Sequence, residues 1–175
     1  KYGYVSERKY ILREVIRLRE IPFEFGEEDV ITSAKSAFIP KTRVQVYFLE
    51  DDKRFKPLTN LIYKAKNGRV ITDNDMRFAY FSKASLAILP HLFWRPDVIW
   101  CNDWQSALVP AFYKQQYAND KFYAGMKSVL VVHNYEKEFL DISRNTFKNT
   151  GLEEPASMKK GVVNAYEAAA EYVDL

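Results

Sequence analysis

Two short apolar runs, each followed by polar residues, constrain the fold more than any other part of the sequence. The first covers residues 96–101 and leads into Asn102-Asp103-Trp104, and the second covers residues 128–132 and leads into His133-Asn134. Runs of this length, bounded by polar residues, are typical of buried strands. Apolar residues between them recur every three or four positions, which predicts a helix with Asn102 or Asp103 as its N-cap. The chain is therefore predicted to contain a strand–helix–strand unit of an α/β fold.

This unit also predicts where a site would lie. In open α/β sheets, ligands bind beyond the C-terminal ends of parallel strands, where helix N-termini also point. Asp103 and His133 are therefore expected on neighbouring rims of one crevice. His133 could donate to a ligand hydroxyl or stabilise a developing charge; alternatively, it caps a loop or bonds to a backbone carbonyl. Taken alone, the sequence favours the loop histidine, and it favours Asp103 as a helix cap over Asp103 as a ligand contact.

Composition narrows the classes of function. With 175 residues, 47% of them apolar, the chain is long enough for one domain with a sizeable core. The net charge of +3 comes from charges that alternate in sign, which argues against a nucleic-acid partner. No apolar run has the length of a membrane span. Cys101 is the only cysteine, which excludes an intramolecular disulfide and predicts a reducing, cytoplasmic location. We expect it to be an inert core residue, as we do Trp104.

The other elements follow from local signals. Residues 8–21 fit either a helix or a strand. Asp73, Asn74 and Asp75 supply caps and first-turn acids for a helix that ends at Pro90. The remaining predictions are a strand at 43–49, a long loop at 53–72 that holds Pro57, Asn60, Tyr63 and an Asn67-Gly68 turn, a surface excursion at 136–151, a helix at 158–172 and the start of a strand at 173–175.

A series of short motifs resembles a known family. The sequence has no GxGxxG, P-loop or GxSxG motif and no cluster at metal-ligand spacing. In order and spacing, its motifs are similar to those of the N-terminal domain of bacterial glycogen synthase and plant starch synthase over residues 1–135, and more loosely to residue 175. These motifs are residues 43–49, Phe55, Asn60-Leu61-Ile62-Tyr63, residues 73–79, residues 94–99, Asn102-Asp103-Trp104, residues 107–111 and Val131-Val132-His133-Asn134.

The resemblance implies both a fold and an activity. The fold is a Rossmann-like, doubly wound sheet in the N-terminal domain of a two-domain GT-B glycosyltransferase. Such enzymes transfer glucose from a nucleotide-glucose, usually ADP-glucose in bacteria, to an α-1,4-glucan with retention, in glycogen biosynthesis, and they need no metal or cofactor. Here the resemblance implies that His133 contacts the transferred glucose with support from Asn134, that Asp103 positions sugar hydroxyls and that Tyr63 lies near the acceptor. It implies no nucleic-acid or membrane partner.

The chain departs from the family pattern in two places. The family usually has His at the positions of Trp100, Asn102 and Gln105, and a small glycine-containing turn where residues 135–138 are Tyr-Glu-Lys-Glu. These changes allow an alternative, a catalytically silent glucan-binding or regulatory relative. A third interpretation is another nucleotide-sugar transferase of the same fold, since a fold does not fix the substrate.

The resemblance also predicts how much of the domain these residues make up. Lys1-Tyr2-Gly3 resembles the sequence just after the family's second strand. Residues 1–175 are therefore expected to be a single, incomplete N-terminal domain. Its first strand and its glycine-rich loop are expected before residue 1, and the C-terminal Rossmann domain after Leu175. We expect such a segment to fold poorly and to be inactive by itself.

Overall fold

The computed structural model describes residues 5–55 and 62–175. Four features named above, Lys1-Tyr2-Gly3, Pro57, Asn60 and Leu61, lie outside the described residues. Every helix within the described ranges is too short or too polar to cross a membrane.

The described strands form three small sheets. An antiparallel sheet is built around the long strand β3, which pairs with β1, β2 and β4. The strands β5 and β6 pair in parallel, and β7 and β8 pair antiparallel. The bounds are β1 Arg13–Glu14, β2 Ile21–Phe25, β3 Glu28–Phe38, β4 Gln45–Glu50, β5 Val98–Asn102, β6 Lys127–Val131, β7 Asp141–Ser143 and β8 Val162–Asn164.

The helices are short, with one exception. Helix α2 is the longest and packs against the strands β2, β4 and β7 and against two of the other helices. The α-helices are α1 Glu7–Tyr10, α2 Asn74–Ala87, α3 Val109–Phe112, α4 Arg144–Thr150 and α5 Ala165–Ala170. The 3₁₀ turns are Ile16–Leu18, Leu89–Leu92, Trp104–Ser106 and Lys137–Phe139, and a π-helical turn covers Tyr113–Tyr117.

The strand–helix–strand prediction is confirmed, with a broken helix. Strands β5 and β6 pair in parallel register, with Asn102 opposite Val131, so their C-terminal ends meet at one edge. The connection contains a 3₁₀ turn, α3 and the π-helical turn instead of one helix. Pro110 explains the first break, because its nitrogen cannot donate to the preceding turn and it is well placed in the first turn of a new helix.

Strand β3 shows why part of the antiparallel sheet was not predicted. Its burial alternates, with Thr32, Ala34 and Ser36 facing the core. Small and polar residues in these positions give the correct period of two but only a weak apolar signal. Strand β4, with its large apolar residues, was predicted at 43–49, and the structure confirms it one or two residues later.

The region after β6 was predicted wrongly in two places. Residues 136–151 are not a surface excursion, because they include β7 and α4, and Leu140 and Phe147 are fully buried. The helix predicted at 158–172 is restricted to α5. Lys160 and Gly161 both have positive φ, of 52° and 83°, which ends any helix there, and the following residues pair as β8.

The last residues run beside β6, but residues 173–175 do not form the strand that was predicted to start there. Asp174 and Leu175 donate their backbone N–H groups to the carbonyl of Ser128, and Leu130 donates to the carbonyl of Leu175. The Asp174 carboxylate accepts from the N–H of Ser128 and pairs with Lys114 and Lys127. These bonds hold the segment against the free edge of β6 as far as the chain is described.

Helix α2 is joined to α4 by Asp75. The Asp75 carboxylate accepts from the hydroxyls of Ser143 and Thr146, at 2.9 and 2.6 Å, and from the N–H of Ser143 at 3.2 Å. Thr146 is fully buried. Asp73, at the N-cap position, makes no side-chain bond to the helix. The predicted first-turn acid at position 75 therefore connects two helices in addition to its place near the helix dipole.

We predict that Asp75→Ala lowers the free energy of unfolding by about 2–3 kcal/mol, because it removes a charged acceptor of three hydrogen bonds and leaves the buried hydroxyl of Thr146 with the hydroxyl of Ser143 as its remaining side-chain partner. Urea unfolding of the full-length protein that contains this chain measures the change. Asp73→Ala is the control and should change the free energy by about 0.5 kcal/mol or less. Equal losses in the two variants would show that Asp75 acts through the helix dipole alone.

Candidate functional site

Asp103 lies at the end of β5 in an unusual backbone conformation. Its φ is 55° and its ψ is −174°, close to a region that is almost restricted to glycine and that costs other residues about 1–3 kcal/mol. Its own N–H donates to the carbonyl of Val131 at 2.9 Å, which continues the pairing of the two strands by one residue. Strain of this kind persists where the surroundings fix the residue, and it is concentrated at functional sites.

The Asp103 carboxylate holds the turn that follows β6. Its Oδ1 accepts from the backbone N–H of His133 at 2.6 Å and from that of Asn134 at 3.1 Å. The helix-cap interpretation is wrong, because the side chain makes no bond to the 3₁₀ turn that Asp103 precedes. The expected meeting of Asp103 and His133 at one edge is confirmed, and a charge-assisted pair of hydrogen bonds makes the contact.

The imidazole of His133 is exposed and contacts Asn102. Its Nε2 lies 3.1 Å from Oδ1 of Asn102, at the last position of β5. Because an amide oxygen can only accept, this arrangement places a hydrogen on Nε2. In a neutral ring, Nδ1 is then an acceptor. Asn102, one of the positions where the resemblance leads us to expect His, is thus a direct neighbour of the candidate catalytic ring.

Asn134 is oriented by a chain of polar contacts to another part of the sequence. Its amide donates to Glu136 at 2.7 Å. Lys64 contacts Glu136 at 3.4 Å and Glu138 at 2.7 Å, and its ammonium lies 4.6 Å from the centre of the Phe139 ring. The acidic residues that replace the family's glycine-containing turn are therefore paired with Lys64.

These contacts lower the pKa of Glu136 and raise the pKa of Lys64, as expected for an ion pair. The hydrogen bond from Asn134, followed by that from Lys64, lowers the pKa of Glu136. The hydrogen bond to Glu138, followed by that to Glu136, raises the pKa of Lys64. Because the pKa of Glu136 is lowered in the folded protein, the contact is present at neutral pH and is lost as the pH falls through that lowered value.

Tyr63 packs into an aromatic cluster below this turn. The cluster consists of Tyr63, Phe78, Trp104 and Phe139. Trp104 stacks on Phe139 with centroids 5.7 Å apart, and Tyr63 meets Phe139 edge to face at 4.9 Å and Trp104 at 5.9 Å. Trp104 is a core residue, as predicted. The neighbours of the Tyr63 ring in the structure are the aromatic residues of this cluster. Contact between Tyr63 and an acceptor therefore stays a prediction.

The cysteine of β5 is not suited to act as a nucleophile. Cys101 is 2% exposed, and burial raises the pKa of its thiol to about 12. Such a group stays protonated at neutral pH. Among the described residues, no three His, Cys, Asp or Glu side chains are grouped so that they would hold a metal ion.

A cavity of about 590 Å³ lies beside the site, between α2 and β5. Its lining is mostly apolar, and its exposed residues include Trp94 and Trp100. Asn102 and Tyr63 also line it. Asp103, His133 and Asn134 do not line it.

Several residues of the site were missed by the sequence analysis. Glu136 and Tyr166 each contact Asn134, and Tyr166 does so by donating its hydroxyl to the Asn134 carbonyl at 2.6 Å. Lys64 contacts Glu136 in turn. Lys64 and Glu136 are 72 positions apart. Residues so far apart give no spacing pattern that would predict their contact. The only signals in the sequence were the lysine next to Tyr63 and the acidic residues after Asn134.

The comparisons with known proteins agree with one another. The model of the family described as starch synthase catalytic domain matches residues 1–175. Glycogen synthase of Chlorobium limicola is 32% identical to this chain, and that of Pelodictyon phaeoclathratiforme is 30% identical, each over 178 aligned residues that include all of this chain. The chain spans 36% of the length of these curated relatives and matches their N-terminal part.

A solved structure shares the fold. The catalytic domain of starch synthase IV from Arabidopsis thaliana, bound to ADP and acarbose, superposes with a TM-score of 0.75 at 22% identity. The match covers 94% of this chain and 33% of that one. This similarity confirms the predicted fold class, the N-terminal part of a GT-B catalytic domain.

We predict that Lys64→Met loosens the turn after β6. Loss of its contacts with Glu136 and Glu138 should reduce the hydrogen-exchange protection of amides 134–139 by roughly two- to fivefold, the range of exposed ion pairs. Lys64→Arg should keep most of the protection. Lys66→Met, which removes an exposed lysine two residues away, is the matched control.

The measurement is made on the full-length protein at neutral pH. High salt should reduce the protection of the wild type toward that of Lys64→Met, because salt screens exposed pairs. Protection that is the same in Lys64→Met and Lys66→Met would contradict a role for Lys64 in holding this turn.

Proposed function

Because the chain belongs to the starch synthase catalytic domain family, we propose that the full-length protein containing it is a glucosyltransferase. It extends an α-1,4-glucan by transfer of glucose from ADP-glucose, with retention, in glycogen biosynthesis. The chain supplies the acceptor-side part of the cleft.

One observation in the structure supports this proposal most. The ends of β5 and β6 bring Asp103, His133 and Asn134 into direct contact at one edge of the parallel pair, through bonds of 2.6 and 3.1 Å. Ligands of open α/β folds bind at this edge. The polar groups are fixed by a strained residue and by charged hydrogen bonds, which suits catalysis by orientation and electrostatic stabilisation.

The proposed reaction is a single glucosyl transfer. The C4 hydroxyl of the terminal acceptor sugar forms a bond to C1 of the donor glucose, while the bond from C1 to the β-phosphate oxygen of ADP-glucose breaks. The bonding electrons leave with the phosphate, and the hydroxyl proton passes to that oxygen. The products are ADP and a glucan longer by one glucose. Positive charge develops at C1 in the transition state, and fixed dipoles near it lower the barrier.

Each candidate residue has a role in this proposal. His133 contacts the transferred glucose and stabilises the developing charge, and Asn134 supports it. Asp103 positions sugar hydroxyls through Oδ2, while its Oδ1 holds the turn. Tyr63 lies on the acceptor side. Lys64, the next residue, pairs with Glu136 and so connects Tyr63 to the turn after β6.

The remaining parts of the proposal concern the whole protein. Its relatives are almost three times as long as this segment, so we place the nucleotide contacts in a second Rossmann domain that completes the cleft. Cys101 is the only cysteine of the chain and is buried, which supports a cytoplasmic location.

A second candidate function is favoured by the contact between Asn102 and His133. If Asn102 holds Nε2 of His133 permanently, the ring has no donor left at Nε2 for a sugar, and the protein binds glucan without transferring glucose. Asn102→Ala separates the two candidates. In an active transferase it should change the rate modestly, whereas gain of transfer in a silent wild type would identify Asn102 as the block.

We predict that His133→Ala lowers kcat for glucose transfer by about 10²–10³, the effect of removing one group that stabilises transition-state charge. The assay measures glucose incorporation into maltoheptaose by the full-length protein, from ADP-glucose and from UDP-glucose. His91→Ala, which removes the other histidine of the chain, is the control and should keep the wild-type rate.

Each outcome of this assay decides between the candidates. Transfer by the wild type, lost in His133→Ala and kept in His91→Ala, supports the transferase and the role of His133. A higher rate from UDP-glucose than from ADP-glucose would contradict the proposed donor. Binding of glycogen with no transfer from either donor would favour the silent relative.

A further inference from the structure

We infer that the exposed ring of Tyr135 is a stacking surface for a glucosyl unit of the acceptor glucan, next to His133 and Asn134. This inference rests on the proposed function and extends it. Tyr135 lies in the turn where the chain departs from the pattern of the family it resembles. The departure would therefore add a contact with the acceptor.

The position of Tyr135 is fixed from two sides. Its hydroxyl accepts from the side-chain amide of Asn164 at 3.2 Å, and its ring lies against that of Tyr166 with centroids 5.9 Å apart and planes inclined by 31°. Asn164 is itself held, because its Oδ1 accepts from the N–H of Tyr166 at the start of α5. Despite these contacts, Tyr135 is 65% exposed.

Tyr166 connects this pair of rings to the candidate site. Its hydroxyl donates to the carbonyl of Asn134 at 2.6 Å. Burial, followed by the nearby Asp103 carboxylate, raises the pKa of Tyr166, so the phenol stays protonated and continues to donate. The turn after β6 thus carries His133 and Asn134, followed directly by the preoriented ring of Tyr135.

The chemistry of the ring matches that of a glucan. Glucose units present apolar C–H faces as well as hydroxyl edges, and a tyrosine ring offers an apolar face of similar size with a polar tip. Binding sites of this kind combine aromatic side chains with a few placed polar groups, which Asn134 and Asp103 supply here. Because Lys64 pairs with Glu136 and Glu138, the turn presents this ring without unpaired acidic neighbours at those two positions.

The full-length protein tests the inference through a comparison of acceptor and donor constants. Tyr135→Ala should raise KM for maltoheptaose roughly three- to tenfold, the loss expected from one aromatic stacking contact, and leave KM for ADP-glucose within about twofold. Tyr135→Phe keeps the ring and should retain most of the affinity for the acceptor. Phe93→Ala is the matched control, since Phe93 is an exposed aromatic residue that precedes the opposite end of β5.

A second measurement covers the case in which Tyr135→Ala does not fold. In the wild-type protein with isotope-labelled tyrosine, addition of maltoheptaose should shift the Tyr135 ring signals, assigned with Tyr135→Phe. Three results would overturn the stacking role: an unchanged KM for maltoheptaose in Tyr135→Ala, an equal rise in KM for ADP-glucose, or unshifted ring signals. Transfer of glucose by the wild type would still support the proposed function in each of these cases. Absence of both transfer and maltoheptaose binding in the wild type would overturn the two together.

Discussion

The Asp103 carboxylate connects the ends of two parallel strands, and the candidate site depends on this connection. The N–H of Asp103 continues the strand pairing to Val131, and its Oδ1 accepts from the next two amides after β6, those of His133 and Asn134. An apolar side chain at this position could not accept from the two amides. It would also form no bonds to offset the cost of a positive φ. The Asp103 carboxylate therefore ties the backbone of His133 to the end of β5.

The surroundings of this connection keep it rigid. Below it, the aromatic cluster of Tyr63, Phe78, Trp104 and Phe139 packs the 3₁₀ turn after Asp103 against α2 and against the segment after the turn. To one side, Lys64 pairs with the two acidic residues of the turn. Three of the residues that depart from the family pattern therefore make contacts around the site: Glu136 and Glu138 pair with Lys64, and Asn102 neighbours the His133 ring.

The sequence predicted the parts of the fold that have strong local patterns. The apolar runs at β5 and β6 and the polar residues after them were sufficient to place Asp103 and His133 at one edge. Strand β3 was not predicted, because small residues such as Ala34 and Ser36 carry its buried face. The role of the Asp103 carboxylate and the partner of Lys64 were not predictable, since both depend on contacts between segments far apart in sequence. The positive φ of Lys160 and Gly161 broke a helix that apolar spacing had predicted.

A crystal structure of the full-length protein with ADP and a malto-oligosaccharide tests the central claim most directly. The account predicts a sugar ring within hydrogen-bonding distance of His133 or Asn134, with Oδ1 of Asp103 still accepting from both backbone amides. A sugar bound in the cleft without contact to residues 103, 133 or 134, or a turn that leaves Asp103 when the sugar binds, would contradict it.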